Sequence, residues 1–214
     1  MILLDLFCGA GGAAKGYWDA GFTVIGVDIN PQPNYPYTFF QDDAVDYLSK
    51  YGKYYHAIHA SPPCQAHSTL KKLHPGKEYK CFISATRNEL QKLKVPYVIE
   101  NVVGAPLINP IQLCGSSFGL RVRRHRLFES NVPLRGLDCD HAKQSEPVDV
   151  SGTGGRRIGL RADGKGGNSR KPLNLADARD AMGIGWMTRK ELSQAIPPEY
   201  TTFLGKQLME HLNA

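Results

Sequence analysis

Ile2-Leu3-Leu4-Asp5-Leu6-Phe7-Cys8-Gly9-Ala10-Gly11-Gly12 is followed, after a short Ala-containing stretch, by Thr23-Val24-Ile25-Gly26-Val27-Asp28. Both apolar runs read as strands buried on two faces, and 13–20 between them reads as a helix. Strand, glycine turn, helix and strand in this order form a parallel βαβ unit, which sets the fold class as α/β. Glycines let the backbone pass close to a ligand, and a helix N-terminus offers unpaired N–H groups to an anion. Asp28, ending the second strand, is placed to hydrogen-bond ribose hydroxyls. Gly9-Ala10-Gly11-Gly12-Ala13-Ala14 fits the G-x-G-x-x-G/A pattern. Nicotinamide, flavin and S-adenosylmethionine therefore remain open at this point, beside a plain Gly-rich turn. Asp5 and Phe7 tilt the choice: a donor with an amino-acid tail needs a polar partner for its ammonium group, and an aromatic can stack on adenine.

Working outward, 39–44 reads as a third short strand ending in acids, before a helix over 45–51. Asp43 could accept from an adenine amino group, or Asp42 or Asp43 could simply cap the helix. A fourth apolar run, 56–61, leads into Pro62-Pro63-Cys64-Gln65. The C-terminal edge of such a sheet is where ligands bind. Two prolines fix the backbone there, so the Cys64 thiol is held at the mouth. The stretch 67–80 carries Lys71, Lys72, Lys77 and Lys80 against Glu78 alone. It reads as a basic loop suited to a phosphate backbone, and 81–93 as a helix. Val95 to Val102 forms a fifth strand that ends in Glu100-Asn101. A carboxylate after an apolar run is costly without a partner or a task, and burial would raise its pKa enough to let it donate a proton. In 121–128, read as extended chain, Arg124 and Arg126 share one face, and arginine suits a base carbonyl or a phosphate.

Composition is consistent with this. The chain has 214 residues and a formal net charge of +6, with a pI near 9.0, which suggests a polyanionic partner. It has no run of about 18 apolar residues that would span a membrane, and its first residues read as a strand rather than a signal peptide. Five cysteines without paired spacing fit reduced cytoplasmic thiols better than a disulfide framework.

Asp5-Leu6-Phe7-Cys8-Gly9-Ala10-Gly11-Gly12, Pro62-Pro63-Cys64-Gln65, Glu100-Asn101-Val102 and Arg124-His125-Arg126 together resemble the DNA (cytosine-5)-methyltransferase family, in its order and at comparable spacing. The resemblance covers about residues 1–130 clearly and the C-terminus more loosely. It implies a Rossmann-like S-adenosylmethionine-dependent methyltransferase fold: a mostly parallel sheet flanked by helices. It also implies a compact form of bacterial or phage origin, DNA methylation of the restriction-modification kind, and a cytoplasmic monomer. By the resemblance, Cys64 adds to carbon-6 of a flipped cytosine in double-stranded DNA. Glu100 serves ring nitrogen 3, Arg126 holds the base carbonyl, and Arg124 supports the site. Asp5, Phe7, Gly9, Gly11, Gly12, Asp28, Ile29, Asp43 and Pro62 line the cofactor pocket, with Asp28 on the ribose and Asp43 on the adenine. Gln65, Ser68, Lys71, Lys72 and Asn101 face the nucleic acid. The chain departs from the family pattern at Val122, where glutamine is usual, at Asp28, where glutamate is usual, and at Gln194-Ala195, where Gly-Asn is expected. Rival readings are the same chemistry on RNA or with a modified donor, and a catalytically silent DNA-binding relative.

The expected organisation is a catalytic and cofactor-binding domain over 1–130, a much reduced target-recognition segment over 131–172, and C-terminal helices over 173–214 that pack back on the catalytic domain. Within 151–171 seven glycines and six basic residues stand against Asp163 alone. Such a stretch cannot build a core, but Arg156, Arg157 and Arg161 could follow a phosphate backbone, giving a short or relaxed recognition site. Cys139 and His141 offer two metal donors, too few to define a site, so no metal is assigned. Asn174 to Met182 reads as a helix ended by Gly183, Thr188 to Glu191 as a capping box, and 198–212 as a final helix with Phe203, Leu204, Leu208 and Leu212 on its apolar face.

Overall fold

The computed structural model describes residues 1–63, 82–144, 147–150 and 174–214. Its strands are β1 (Ile2–Leu6), β2 (Thr23–Asp28), β3 (Thr38–Gln41), β4 (Ala57–Ala60), β5 (Tyr97–Asn101), β6 (Ile111–Leu113) and β7 (Arg126–Ser130). They form a single sheet in the order β3-β2-β1-β4-β5-β7-β6. β1 to β5 are parallel to one another, and β7 pairs antiparallel with both β5 and β6. The mostly parallel sheet expected from the apolar runs is therefore present. β6, at three residues, is too short to carry a readable alternation.

The helices are α1 (Gly12–Asp19), α2 (Ala44–Tyr51), α3 (Ile83–Gln91), α4 (Leu175–Met182), α5 (Arg189–Gln194) and α6 (Pro198–Leu212). One sheet face buries Leu4, Leu6, Val27, Ile58, Ala60 and Ile99 with α2 residues Ala44, Tyr47 and Leu48 and Leu90 of α3. The other buries Leu3, Val24, Ala57, Val98 and Phe128 with α1 and α6. Cross-strand register puts Asp5 beside Gly26 and His59, His59 beside Val98, and Glu100 beside Phe128. Because side chains alternate with period two, Asp5, Asp28, His59, Glu100 and Arg126 all belong to the α1/α6 face. The chemistry-bearing residues of the sheet share one side of it.

The last helix, α6, packs against α1. α6 begins at Pro198, where its missing N–H costs nothing, and buries Tyr200, Leu204 and Leu208 completely; Phe203 and Leu212 are only half-buried. An added Cβ at Gly16 would collide with the Pro198 carbonyl and the Thr201 hydroxyl, so α1 and α6 touch backbone to backbone there. The Thr201 hydroxyl donates to the Ala13 carbonyl at 2.9 Å. α5 carries the full capping box: Thr188 accepts from the Glu191 N–H, and Glu191 accepts from that of Thr188. α4 is capped by the Asn174 side chain and stopped by Gly183 at φ 66°.

Candidate active site

The glycine turn after β1 is shaped by its backbone. Phe7 (φ 55°), Gly9 (φ 50°) and Gly11 (φ 87°) all take the left-handed region, which glycine enters without strain and phenylalanine does not. A Cβ on Gly9 would meet nothing within 4 Å, so that face of the turn is open. Gly12 is different: a Cβ there would meet the Ile196 carbonyl at 2.8 Å and Ala195 at 3.0 Å, so it serves packing of the α5–α6 link. The turn is fixed from outside by the Trp186 indole, which donates to the Ala10 carbonyl at 2.9 Å.

Asp5 lies directly beneath this turn and is fully buried. Among the described residues neither of its carboxylate oxygens, nor the buried Tyr35 hydroxyl near it, makes a hydrogen bond. Burial, with the Asp28 charge adding to it, holds the Asp5 carboxyl well above the usual carboxylate range, and the Tyr35 hydroxyl nearby offsets part of this. An orphaned buried carboxylate below an open glycine turn is a socket for a cation brought by a ligand. The residues present thus fit the ammonium group of S-adenosylmethionine.

Asp28 ends β2 as expected, and its carboxylate already accepts from the Gly9 N–H at 3.1 Å and the Asn30 N–H at 2.9 Å. It therefore closes the turn as well as facing it. Ile29 is 62% exposed, an apolar surface at the strand exit open to a flat ring. Asp43 caps α2, one oxygen accepting from both Val45 and Asp46 N–H groups, so it serves the helix N-terminus. Phe7 packs against Phe82, ring centroids 6.2 Å apart.

At the far end of the same edge, Glu100 is buried at 7% exposure and pairs with Arg126, Nε to Oε1 2.9 Å. Burial pushes its carboxyl above the ordinary glutamate value, against the opposing pull of Arg126, a Ser61 hydrogen bond and Arg124. Ser61 is held in turn by His59 Nε2 at 2.9 Å, and His59 Nδ1 meets the Tyr17 hydroxyl at 3.0 Å. Burial pushes His59 down to about 3, so the ring is neutral.

Arg124 corrects the expected extended strand. Its φ is 38°, and β7 starts only at Arg126. Two distant groups enforce this left-handed residue. The Tyr200 hydroxyl donates to the Arg123 and Arg124 carbonyls at 3.1 and 3.0 Å, and Arg124 Nη2 donates to the Ser193 carbonyl at 2.6 Å. Among the described residues the buried Arg124 Nε has no hydrogen-bond partner. Burial, with Arg126 beside it, pushes Arg124 down to about 9, still charged at neutral pH. The kink, rather than strand alternation, brings Arg124 toward Arg126 and Glu100.

Asn101 was expected to face nucleic acid, but it is buried at 1% exposure. Its amide instead donates to the Pro62 carbonyl at 2.9 Å, and its Oδ1 accepts from the Val102 N–H. This fixes the buried Pro62 against β5, two residues before Cys64 in the chain. Cys64 itself, with Gln65, Ser68, Lys71, Lys72, Arg156, Arg157 and Arg161, lies outside the described residues.

Tyr17, His59, Ser61, Tyr200 and Ser193 were not singled out from sequence. Only the run into Pro62 hinted at His59 and Ser61, and nothing local marks the other three. Cys139 and His141 are joined by Cys114 and His125, and the four donor atoms lie within 4.8 Å of one another. Sequence separations of 14 and 27 residues across the two closest contacts hide the cluster from spacing arguments.

No family model and no curated protein matches the chain in sequence. Solved structures do match it in shape. A candidate DNA modification methyltransferase encoded within an Escherichia coli prophage aligns over 100% of both chains, with TM-score 0.67 and 15% identity. The Schizosaccharomyces pombe Dnmt2 methyltransferase aligns over 100% of this chain and 99% of its own, with TM-score 0.63 and 14% identity. A Spodoptera frugiperda DNMT2 variant aligns over 97% and 99%, with TM-score 0.62 and 14% identity. At such identities the likeness establishes architecture: the chain has a Rossmann-like methyltransferase fold. No helix among the described residues is long and apolar enough to cross a membrane.

Proposed function

We propose that this protein transfers a methyl group from S-adenosylmethionine to carbon-5 of cytosine in DNA. The observation that carries the reading is the buried Glu100–Arg126 pair, with Arg124 beside it, on the sheet edge from which Pro62 and Pro63 lead to Cys64. A cytosine edge presents a carbonyl, a ring nitrogen and an amino group in a row. Arg126 can donate to the carbonyl, while a protonated Glu100 donates to the ring nitrogen and accepts from the amino group. When Arg126 turns to the base, Glu100 loses its main charge partner and its pKa rises further, which favours the protonated form.

Asp5 and the open Gly9 turn hold the cofactor, with Asp28 and Ile29 toward its ribose and adenine. When bound, the cofactor supplies a methyl group on a sulfonium that departs as a neutral thioether. The Cys64 thiolate forms a bond to carbon-6, and the ring electrons displaced by that addition make carbon-5 nucleophilic. Glu100 stabilises the charge on the ring nitrogen. After methylation a base removes the carbon-5 proton, the carbon-6–sulfur bond breaks, and Cys64 returns as thiolate. The basic residues of 67–80 and 151–171 take the phosphate backbone, with the second stretch setting a short or relaxed site.

Incubation with 5-fluorocytosine DNA and labelled S-adenosylmethionine tests this, because fluorine cannot leave as a proton does. A denaturation-resistant labelled complex is expected, absent in Cys64→Ser. No complex on any DNA, or an equal yield from Cys64→Ser, overturns the reading; a complex on 5-fluorocytosine RNA alone moves the substrate to RNA.

A further inference from the structure

Cys114 follows β6, His125 precedes β7, and Cys139 and His141 lie in the segment after β7. Cys114 Sγ lies 3.4 Å from His141 Nε2, and Cys139 Sγ lies 3.4 Å from His125 Nε2. The two imidazole rings meet edge to face, with centroids 5.2 Å apart. A tetrahedral ion bound by two thiolates at about 2.3 Å and two imidazoles at about 2.0–2.1 Å keeps its donor atoms roughly 3.3–3.8 Å apart. Donor atoms that all fall within 4.8 Å of one another need only small side-chain shifts to reach that geometry.

The surroundings suit thiolates. Ser116 Oγ donates to Cys114 Sγ at 3.1 Å, and the Asp140 N–H donates to Ser116 Oγ at 3.1 Å. Such outer contacts orient a ligand and stabilise its charge. Both histidines present Nε2 to the cluster. Cys114 is buried, the histidines are half-buried, and Cys139 is exposed, so an ion can reach the cluster from the Cys139 side.

We propose that Cys114, His125, Cys139 and His141 bind one zinc ion. Two sulfur and two nitrogen donors select zinc over hard cations, and four protein ligands leave no open position, so the site is structural. It ties the segment after β7, which continues toward the basic stretch 151–171, to the paired end of β6 and start of β7. His125 sits between Arg124 and Arg126, so the ion would fix the turn that carries both arginines. It acts on the candidate active site by positioning, without touching substrate.

Metal analysis of the protein purified under reducing conditions, without chelator, tests the proposal. About one zinc per chain is expected, and cobalt exchanged into the site should show tetrahedral d–d bands with thiolate charge-transfer absorption. The Cys139→Ser and His141→Ala variants should each hold at least tenfold less zinc, and chelation of the wild type should lower its melting temperature reversibly. If either variant fails to fold, the wild-type cobalt spectrum decides alone. Wild-type protein that retains less than about 0.1 zinc per chain after zinc exposure overturns the site. So does a cobalt spectrum without sulfur charge transfer, or a thiol count that shows Cys114 and Cys139 joined as a disulfide in protein kept reduced. None of these readouts depends on methyl transfer, so failure of the metal site and failure of the proposed activity are separable.

Discussion

Asp5 and Glu100 are both buried carboxylates near the C-terminal ends of strands in one sheet, on one face of it, yet their surroundings differ in kind. Among the described residues Asp5 has no charge partner and only the Tyr35 hydroxyl near it, while Glu100 has Arg126 at 2.9 Å and Ser61 behind it. A buried acid without a charge partner rests protonated, and a cation brought by a ligand is what favours its ionised form. A paired acid is already stable and must exchange its partner to act. The first arrangement selects a ligand by charge; the second waits for a ligand whose own donors and acceptors can replace an arginine. Cofactor capture and base capture would then have different energetic signatures in one cleft.

The comparison breaks most visibly at Glu100. Glu100→Gln keeps the shape but cannot donate an acidic proton, so methyl incorporation should fall about 10²–10⁴-fold with cofactor binding retained. The loss of rate at alkaline pH that Glu100 ionisation imposes should vanish in the variant. Wild-type turnover in Glu100→Gln would reduce the pair to an ordinary buried ion pair. At Asp5 the expected effect is smaller and of opposite sign on stability. Asp5→Asn removes an uncompensated buried acid, so the ligand-free protein should gain about 1–3 kcal/mol. That gain corresponds to about 2–4 °C in melting temperature per kcal/mol for a chain of this size. The rise in melting temperature that S-adenosylmethionine gives the wild type should disappear in Asp5→Asn. A variant that melts lower than wild type and still responds to the cofactor would show that Asp5 has a partner of its own.

The third test concerns His59, the neutral ring behind Ser61, and shows only in the acid range. Its native pKa of about 3 lies below the unfolded value of about 6.5. Between those values the unfolded chain binds more protons, so stability is fully present above pH ~6.5 and declines as pH falls toward ~3. Asp5 and Glu100, raised in the native state, contribute with opposite sign. Denaturation midpoints of wild type and His59→Gln across this window separate the terms. The variant should show the shallower acid loss, and an unchanged slope would mean that His59 is charged in the native protein.

Readability from sequence followed the range of the interaction. Thr23–Asp28 and the Thr188–Glu191 box were readable because burial on two faces and capping are written in neighbouring residues. The α/β class followed from the same local runs. Arg124 could not be placed, because its conformation is imposed by Tyr200 and Ser193, 76 and 69 residues away. Asn101 was read by chemical type alone, and its amide proved to serve the Pro62 carbonyl, whereas the capping option for Asp43 was readable from the helix that follows it. The Cys114 and His125 donors were hidden for a similar reason, since a sheet edge, not a spacing motif, gathers them.

The backbone contact between α1 and α6 at Gly16 has a consequence for biosynthesis. Ala13 and Thr201 are joined across 188 residues, and Gly12 leans on the link before α6. The glycine turn leaves the ribosome 188 residues before the helix residue that backs it. Until α6 emerges the turn lacks this backing, and because closing such distant contacts is slow, cofactor affinity should arise abruptly, as α6 docks.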